Sequence, residues 1–118
     1  MNLKNKKIAI IGLGYVGLPL AIEFGKHRST IGFDINKNRI TELQSGQDHT
    51  RECTPQELAC ATFLEYSSSL QDLQNAEIFI VTVPTPVDQA NRPDMMPIVK
   101  ASETVGKSLK QGDVVIYE

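Results

Sequence analysis

The chain has 118 residues, enough for one small domain with a buried core. A formal net charge of -2 excludes the basic surface of a typical nucleic-acid-binding protein, and no apolar run approaches the roughly 20 residues of a membrane span. The two cysteines show neither metal-site spacing nor a disulfide pattern. From these features together, we predict a cytoplasmic domain without a metal, a nucleic-acid partner or a membrane partner.

The first predicted strand, residues 7–12, is an apolar run that leads directly into three glycines with GxGxxG spacing. An uninterrupted apolar run is typical of a buried parallel strand. Gly12 allows a sharp turn, Gly14 lets a pyrophosphate approach the backbone, and Gly17 lets the next helix pack closely on the strand. That helix, predicted over about 15–27, points free N–H groups at the phosphates. An alternative is a βαβ unit whose glycines serve packing alone.

The second predicted strand, residues 30–34, ends in an acidic residue, Asp34, 17 residues after the last glycine. This is close to the roughly 20 residues expected before a carboxylate that binds the adenosine-ribose hydroxyls of a dinucleotide. Its charge would repel a 2′-phosphate, which favours NAD over NADP. A helix follows, with Asn36 as its N-cap. Arg39 in this helix has three interpretations: a cover for the adenine, a partner of Asp34, or a solvated surface arginine.

Residues 47–73 are predicted to lie at the periphery of the fold. Residues 47–52 are polar and predict a loop, and Thr54 begins a short helix with a capping box that ends near Ala61. A weak third strand over 63–66, near a sheet edge, and a short helix ending at Leu73 complete this region.

The fourth predicted strand, residues 78–83, is strongly apolar and therefore central. It breaks at Pro84-Thr85-Pro86, a stiff loop at the place where the middle of a dinucleotide should pass. We predict that Val83, Pro84 and Thr85 contact the cofactor. The alternative is a strand that ends at a proline and has no ligand role.

A long helix from Asp94 to Gly112 and a fifth strand over 114–117 close the chain. Four residues at helical spacing are predicted to form the apolar stripe of the helix: Ile98, Ser102, Val105 and Leu109. The order of elements predicts an α/β fold of the Rossmann type, a doubly wound parallel sheet in three α/β/α layers. Because the predicted sheet stops after its fifth strand, we expect residues 1–118 to be one truncated domain of a longer protein.

No catalytic base or nucleophile is identified. His27 and His49 are predicted to be surface residues, and Cys53 and Cys60 to be buried structural thiols beside a short helix. Glu118 follows a central strand but is the last residue of the chain.

Four segments together resemble the N-terminal domain of the UDP-glucose/GDP-mannose dehydrogenase family. They are Gly12–Ala21, Gly32–Asn36 with Arg39, Val83–Pro86 and Val114–Glu118. The Gly-Tyr-Val-Gly-Leu-Pro string combined with the Pro-Thr-Pro loop is far more specific than GxGxxG alone. The resemblance is greatest to the branch that acts on UDP-N-acetylhexosamines in bacterial surface-polysaccharide synthesis.

The resemblance implies a two-step oxidation of a UDP-sugar C6 alcohol to a carboxylate with two NAD. The catalytic cysteine and lysine of the family lie beyond the equivalent of Glu118, so the chain alone is expected to be inactive. The cofactor contacts carried over are Tyr15, Val16, Asp34, Arg39 and Thr85. An open sheet edge suggests a homodimer.

Two other functions remain open at this point. One is a stand-alone dinucleotide-binding or sensing module, against which the Pro-Thr-Pro loop argues. The other is a β-hydroxyacid-type dehydrogenase domain, against which Tyr15 and Pro19 in the glycine loop argue.

Overall fold

The computed structural model describes residues 7–14, 16–49, 53–82, 96–109 and 113–117, with the backbone alone for 96–98 and 108. The described chain contains ten elements, whose bounds follow in chain order. They are β1 (Ile8–Ile11), α1 (Gly17–Gly25), β2 (Thr30–Phe33), α2 (Lys37–Gln44), α3 (Pro55–Cys60), β3 (Leu64–Ser67), α4 (Leu70–Leu73), β4 (Ile78–Val81), α5 (Met96–Ser108) and β5 (Val114–Tyr117).

The five strands form one parallel sheet in the order β3-β2-β1-β4-β5. The central β1 lies between β2 and β4, and its last residue, Ile11, is in register with both Phe33 and Val81. The carboxyl ends of these three strands are therefore side by side. This arrangement confirms the predicted Rossmann-type fold, and it places the topological switch point directly after β1.

Two apolar clusters, one on each face of the sheet, form the core. Ile8 and Ile10 of β1 pack in the cluster that includes residues of α1, α2 and α3. Ala9 and Ile11 pack in the cluster that includes residues of α4 and α5. Because successive strand side chains point to opposite faces, a strand covered on both faces must be apolar at every position.

Side-chain caps fix where three helices begin. Asn36 accepts from the N–H groups of Asn38 and Arg39 at the start of α2. Thr54 forms a reciprocal capping box with Glu57 at the start of α3, and Ser69 caps α4. The caps predicted at Asn36 and Thr54 are confirmed.

Several predicted boundaries differ from the structure. Helix α1 spans Gly17–Gly25 rather than 15–27, because the chain after Gly25 turns with an i→i−3 bond from His27 N–H to the Phe24 carbonyl. Strand β3 is one residue later than predicted, although its edge position is confirmed.

The predicted stripe of α5 is partly wrong. Val105 is buried, but Leu109 lies past the helix end and is 43% exposed, while the unpredicted Ala101 is buried. The helix ends at Ser108, so the predicted stop at Gly112 is wrong, while the predicted start at Asp94 and the Ile98 side chain lie outside the described residues. Among the described residues, no helix is both long enough and apolar enough to cross a membrane.

Candidate cofactor site

Two of the three glycines in the loop after β1 are required by local geometry. Gly12 has φ 98°, a conformation that side chains strongly disfavour. A Cβ on Gly17 would lie 1.7 Å from the Gly12 carbonyl oxygen and 2.4 Å from Thr82 Oγ1. The roles predicted for these two glycines, the turn and the close helix–strand packing, are confirmed.

The third glycine, Gly14, opens onto space that no described residue fills. A Cβ built there meets nothing within 4 Å, and Gly14 itself is exposed. The neighbouring N-terminus of α1 has no side-chain cap at Val16 and no acidic residue in its first turn, unlike the side-chain-capped α2, α3 and α4. Uncapped N–H groups at a helix start favour an anion. In α1 the Leu18 N–H already donates to the Gly14 carbonyl at 3.1 Å and Pro19 has no N–H, so an anion would bind the N–H groups that precede Leu18. The space and the charge preference both fit the predicted diphosphate.

The carboxylate of Asp34 faces this loop from the end of β2. Its Oδ2 accepts from the Leu13 N–H at 3.0 Å, and its Oδ1 accepts from the Asn36 N–H at 2.9 Å. A carboxylate has about four acceptor positions, so within the described part of the chain these two bonds leave about two acceptor positions unused. That remaining capacity matches the two hydroxyls of an adenosine ribose.

Arg39 is buried beneath the loop, with an exposed fraction of 6%. Its Nε and Nη2 donate to the Leu13 carbonyl oxygen at 2.9 and 2.7 Å. Its Nη1 lies 3.0 Å from Glu42 Oε2 and 2.8 Å from Asp48 Oδ1. Two of the three interpretations of Arg39 are therefore wrong: it is not solvated, and its ion pairs are with Glu42 and Asp48 rather than Asp34. Contact with the adenine stays a prediction.

Arg39 belongs to a network of charges that ties the end of α2 to the following loop. Burial by itself would raise the pKa of Glu42, but hydrogen bonds from the His49 backbone and ring and the charge of Arg39 lower it below its ordinary value. The Asp48 side chain is fully buried and also accepts from the Cys53 N–H at 3.1 Å. The network anchors Arg39 and so fixes the Leu13 carbonyl.

Thr82 is a residue that the sequence analysis missed. It follows β4, is 7% exposed, and places its hydroxyl 2.7 Å from the Gly12 carbonyl and 3.1 Å from the Ile11 carbonyl. The available signal was a lone hydroxyl in the otherwise apolar predicted strand 78–83, which the predicted sheet places next to the glycine loop.

The other predicted contacts divide into two groups. Val16 is 51% exposed at the start of α1, as a ligand contact requires. Tyr15, Val83, Pro84 and Thr85 lie outside the described residues, and their contacts with a cofactor stay predictions.

Of the residues that were not assigned a catalytic role, His27, His49 and Cys60 are exposed, and Glu118 lies outside the described residues. The His27 and His49 side chains are 73% and 72% exposed, which confirms their surface position. Cys53 is buried as predicted, whereas Cys60 is exposed at the end of α3, so the prediction of a buried thiol there is wrong. No potential metal-binding cluster of His, Cys, Asp or Glu is found in the described part of the chain.

Comparison with known proteins gives close matches over nearly the whole chain. The UDP-N-acetyl-D-glucosamine 6-dehydrogenase of Pseudomonas aeruginosa is 58% identical over 116 residues, a match that covers 98% of this chain and 28% of that protein. Protein CapL of Staphylococcus aureus is 50% identical over 114 residues, 97% of this chain and 27% of that protein. The chain thus spans less than a third of the length of these relatives.

Comparison with solved structures gives matches of the same kind as the comparison of sequences. The UDP-D-ManNAc dehydrogenase of Pyrococcus horikoshii superimposes with a TM-score of 0.82 at 32% identity, covering 95% of this chain and 28% of that one. Residues 6–118 match the NAD-binding domain of the UDP-glucose/GDP-mannose dehydrogenase family. This match confirms the predicted family and the predicted cofactor, NAD. The chain belongs to the UDP-glucose/GDP-mannose dehydrogenase family.

Proposed function

We propose that residues 1–118 act as one domain, the cofactor-binding part of an NAD-dependent dehydrogenase that oxidises C6 of a UDP-N-acetylhexosamine. The observation that carries this proposal is the Asp34 carboxylate, held beside the glycine loop with about two acceptor positions that no described residue uses. The substrate class is supported by 58% identity to a UDP-N-acetyl-D-glucosamine 6-dehydrogenase.

The proposed reaction is a four-electron oxidation. Asp34 and the glycine loop would hold NAD, which would supply a hydride acceptor for each of two oxidations, and one water would supply the second oxygen of the carboxylate. The balance is one alcohol, two NAD⁺ and one water giving one carboxylate, two NADH and three protons. The described residues bind and orient the cofactor in this scheme. We propose that the groups that act on the sugar lie outside these 118 residues, so that the chain alone does not turn over substrate.

The cofactor part of the proposal is tested by replacing Asp34 and titrating two cofactors. Calorimetry should show that Asp34→Asn weakens NAD binding by about tenfold to a hundredfold, because hydrogen bonds to a charged group contribute roughly 1.5–3 kcal/mol. NADP binding should fall less, because the same change removes repulsion of the 2′-phosphate. Glu23→Gln is the matched control, since it removes one exposed carboxylate from α1. An equal loss for both cofactors would remove Asp34 from its proposed role.

The substrate part is tested with a chimera. The corresponding segment of the Pseudomonas aeruginosa relative, 28% of that protein, is replaced by this chain. We expect NAD-dependent oxidation of UDP-N-acetyl-D-glucosamine with two NADH per sugar, and no NADH from the 118-residue chain alone. A folded chimera that binds NAD but leaves the sugar unoxidised would contradict the substrate assignment.

The proposal also covers the cellular compartment and the oligomeric state. We propose that the protein acts in the cytoplasm, where the nucleotide-sugar substrates of such a reaction would be made. We also propose a homodimer, because β5 is an edge strand of the described sheet and an open edge can pair with a second copy. Sedimentation analysis tests the second point, and a monomer at high concentration would exclude it.

A further inference from the structure

The hydroxyl of Thr82 donates to backbone carbonyls inside the protein. The Thr82 backbone N–H donates to the Ile11 carbonyl at 2.9 Å, continuing the β1–β4 ladder by one bond. The hydroxyl is therefore left for the next carbonyl, that of Gly12, at the shorter of its two distances, 2.7 Å against 3.1 Å. Thr82 thus places a buried donor from β4 under the first turn of the glycine loop.

The Gly12–Leu13 peptide that receives this bond is also held at its other end. In a trans peptide the C=O and the N–H point in opposite directions. When Thr82 fixes the Gly12 oxygen on one side, the Leu13 N–H must point to the other side, where it donates to Asp34 Oδ2 at 3.0 Å. One peptide unit therefore links a side chain after β4 to a side chain after β2, across the central β1.

The conformation of Gly12 makes this link necessary. With φ 98° and no Cβ, Gly12 lets the following peptide rotate more freely than a residue with a side chain would. Rotation by half a turn would point the Gly12 oxygen toward the Asp34 carboxylate and remove the Leu13 N–H from it. A hydroxyl donor at Thr82 favours the orientation in which the carboxylate keeps a hydrogen bond.

We propose that Thr82 is a positioning residue of the cofactor site, whose hydroxyl orients the Gly12–Leu13 peptide and thereby fixes the Asp34 carboxylate for the adenosine ribose. This inference rests on the proposed function, because it assigns Asp34 to the ribose. It adds to that function a residue that touches neither phosphate nor sugar. Replacement of the hydroxyl should therefore weaken recognition of the ribose hydroxyls specifically.

The first test compares Thr82→Val, which removes the hydroxyl, with Thr82→Ser, which keeps it. Binding of ADP and of 2′-deoxy-ADP is measured for both variants and for the parent chain. We expect Thr82→Val to weaken ADP binding about tenfold, Thr82→Ser to restore it to within about twofold, and the preference for ADP over its deoxy analogue to shrink in Thr82→Val. A purely structural role would weaken both ligands equally, and that result would overturn the inference.

Thr104→Val is the matched control, because its hydroxyl bonds to the Lys100 carbonyl on the exposed side of α5. It should leave both affinities unchanged. Thermal unfolding is followed for every variant, and Thr82→Ala serves as a second hydroxyl-free variant if Thr82→Val does not fold.

The second test needs no cofactor. The Leu13 amide proton is followed by NMR in the ligand-free chain, where Asp34→Asn should shift its resonance and speed its exchange with solvent. Thr82→Val should do the same, and Thr82→Ser should not. An unchanged Leu13 amide in Thr82→Val would overturn the inference even if the chain binds NAD. A parent chain with the expected Leu13 behaviour but no binding of NAD or ADP would overturn the proposed function, and the ribose role of Thr82 with it.

Discussion

The close contact between the glycine loop and α1 can be tested by adding one methyl group at Gly17. A Cβ there would lie 1.7 Å from the Gly12 carbonyl oxygen, which is backbone and cannot rotate aside. Real Cβ contacts essentially never fall under 3.0 Å, so the helix start and the loop would have to separate by about 1.3 Å. Thr82 Oγ1, 2.4 Å away, would have to move as well.

The free energy of unfolding should fall as a result. Alanine is intrinsically better than glycine in a helix by about 1 kcal/mol, which works against the expected loss. Forcing atoms into a well-packed place costs typically 1–3 kcal/mol, and here the strain falls on backbone. We therefore expect Gly17→Ala to lower stability by up to about 2 kcal/mol, and to weaken NAD binding because the loop that faces the diphosphate is displaced.

Gly106→Ala is the control within the same chain. Gly106 lies in α5, and a Cβ there meets nothing within 4 Å. This variant should gain up to about 1 kcal/mol from helix propensity alone. Urea unfolding and calorimetric titration with NAD are measured for both. If Gly17→Ala were as stable as Gly106→Ala, or bound NAD like the parent chain, the packing account of the loop would be refuted.

Three further variants probe the charges and the buried hydroxyl around the site. Arg39→Lys should cost about 2 kcal/mol in urea unfolding, because one ammonium cannot bond the Leu13 carbonyl and the buried Asp48 together; unchanged stability would contradict this. The lowered pKa of Glu42 stabilises the fold at pH values above 4.5, the ordinary pKa of this side chain. This stabilisation is lost as the pH falls through the lower pKa of the folded state, so the unfolding of Glu42→Gln should depend less on acid pH. Burial raises the pKa of Tyr66 to about 12, so stability should fall between pH 10 and about 12, and Tyr66→Phe should lessen that fall.

Much of the fold was predictable from the sequence because local signals agreed with the global arrangement. Two uninterrupted apolar runs became β1 and β4, which are central and buried at every residue. The caps at Asn36 and Thr54 fixed where α2 and α3 begin. These signals are local, so they need no knowledge of tertiary contacts.

The errors arose where distant contacts decide the outcome. Arg39 has the sequence position of a surface or ligand-facing residue, yet the Leu13 carbonyl 26 positions away draws its guanidinium inward. Thr82 bonds to Gly12 across 70 positions, a pairing that only the sheet order creates. Leu109 has the spacing of a buried helix residue in the sequence, but α5 ends at Ser108 and the Leu109 side chain is exposed.

A structure of the chain with NAD bound would test the central claim most directly. The account predicts both adenosine-ribose hydroxyls within hydrogen-bonding distance of the Asp34 carboxylate and the diphosphate over Gly14 at the start of α1. A cofactor bound elsewhere, or a ribose that does not reach Asp34, would contradict it.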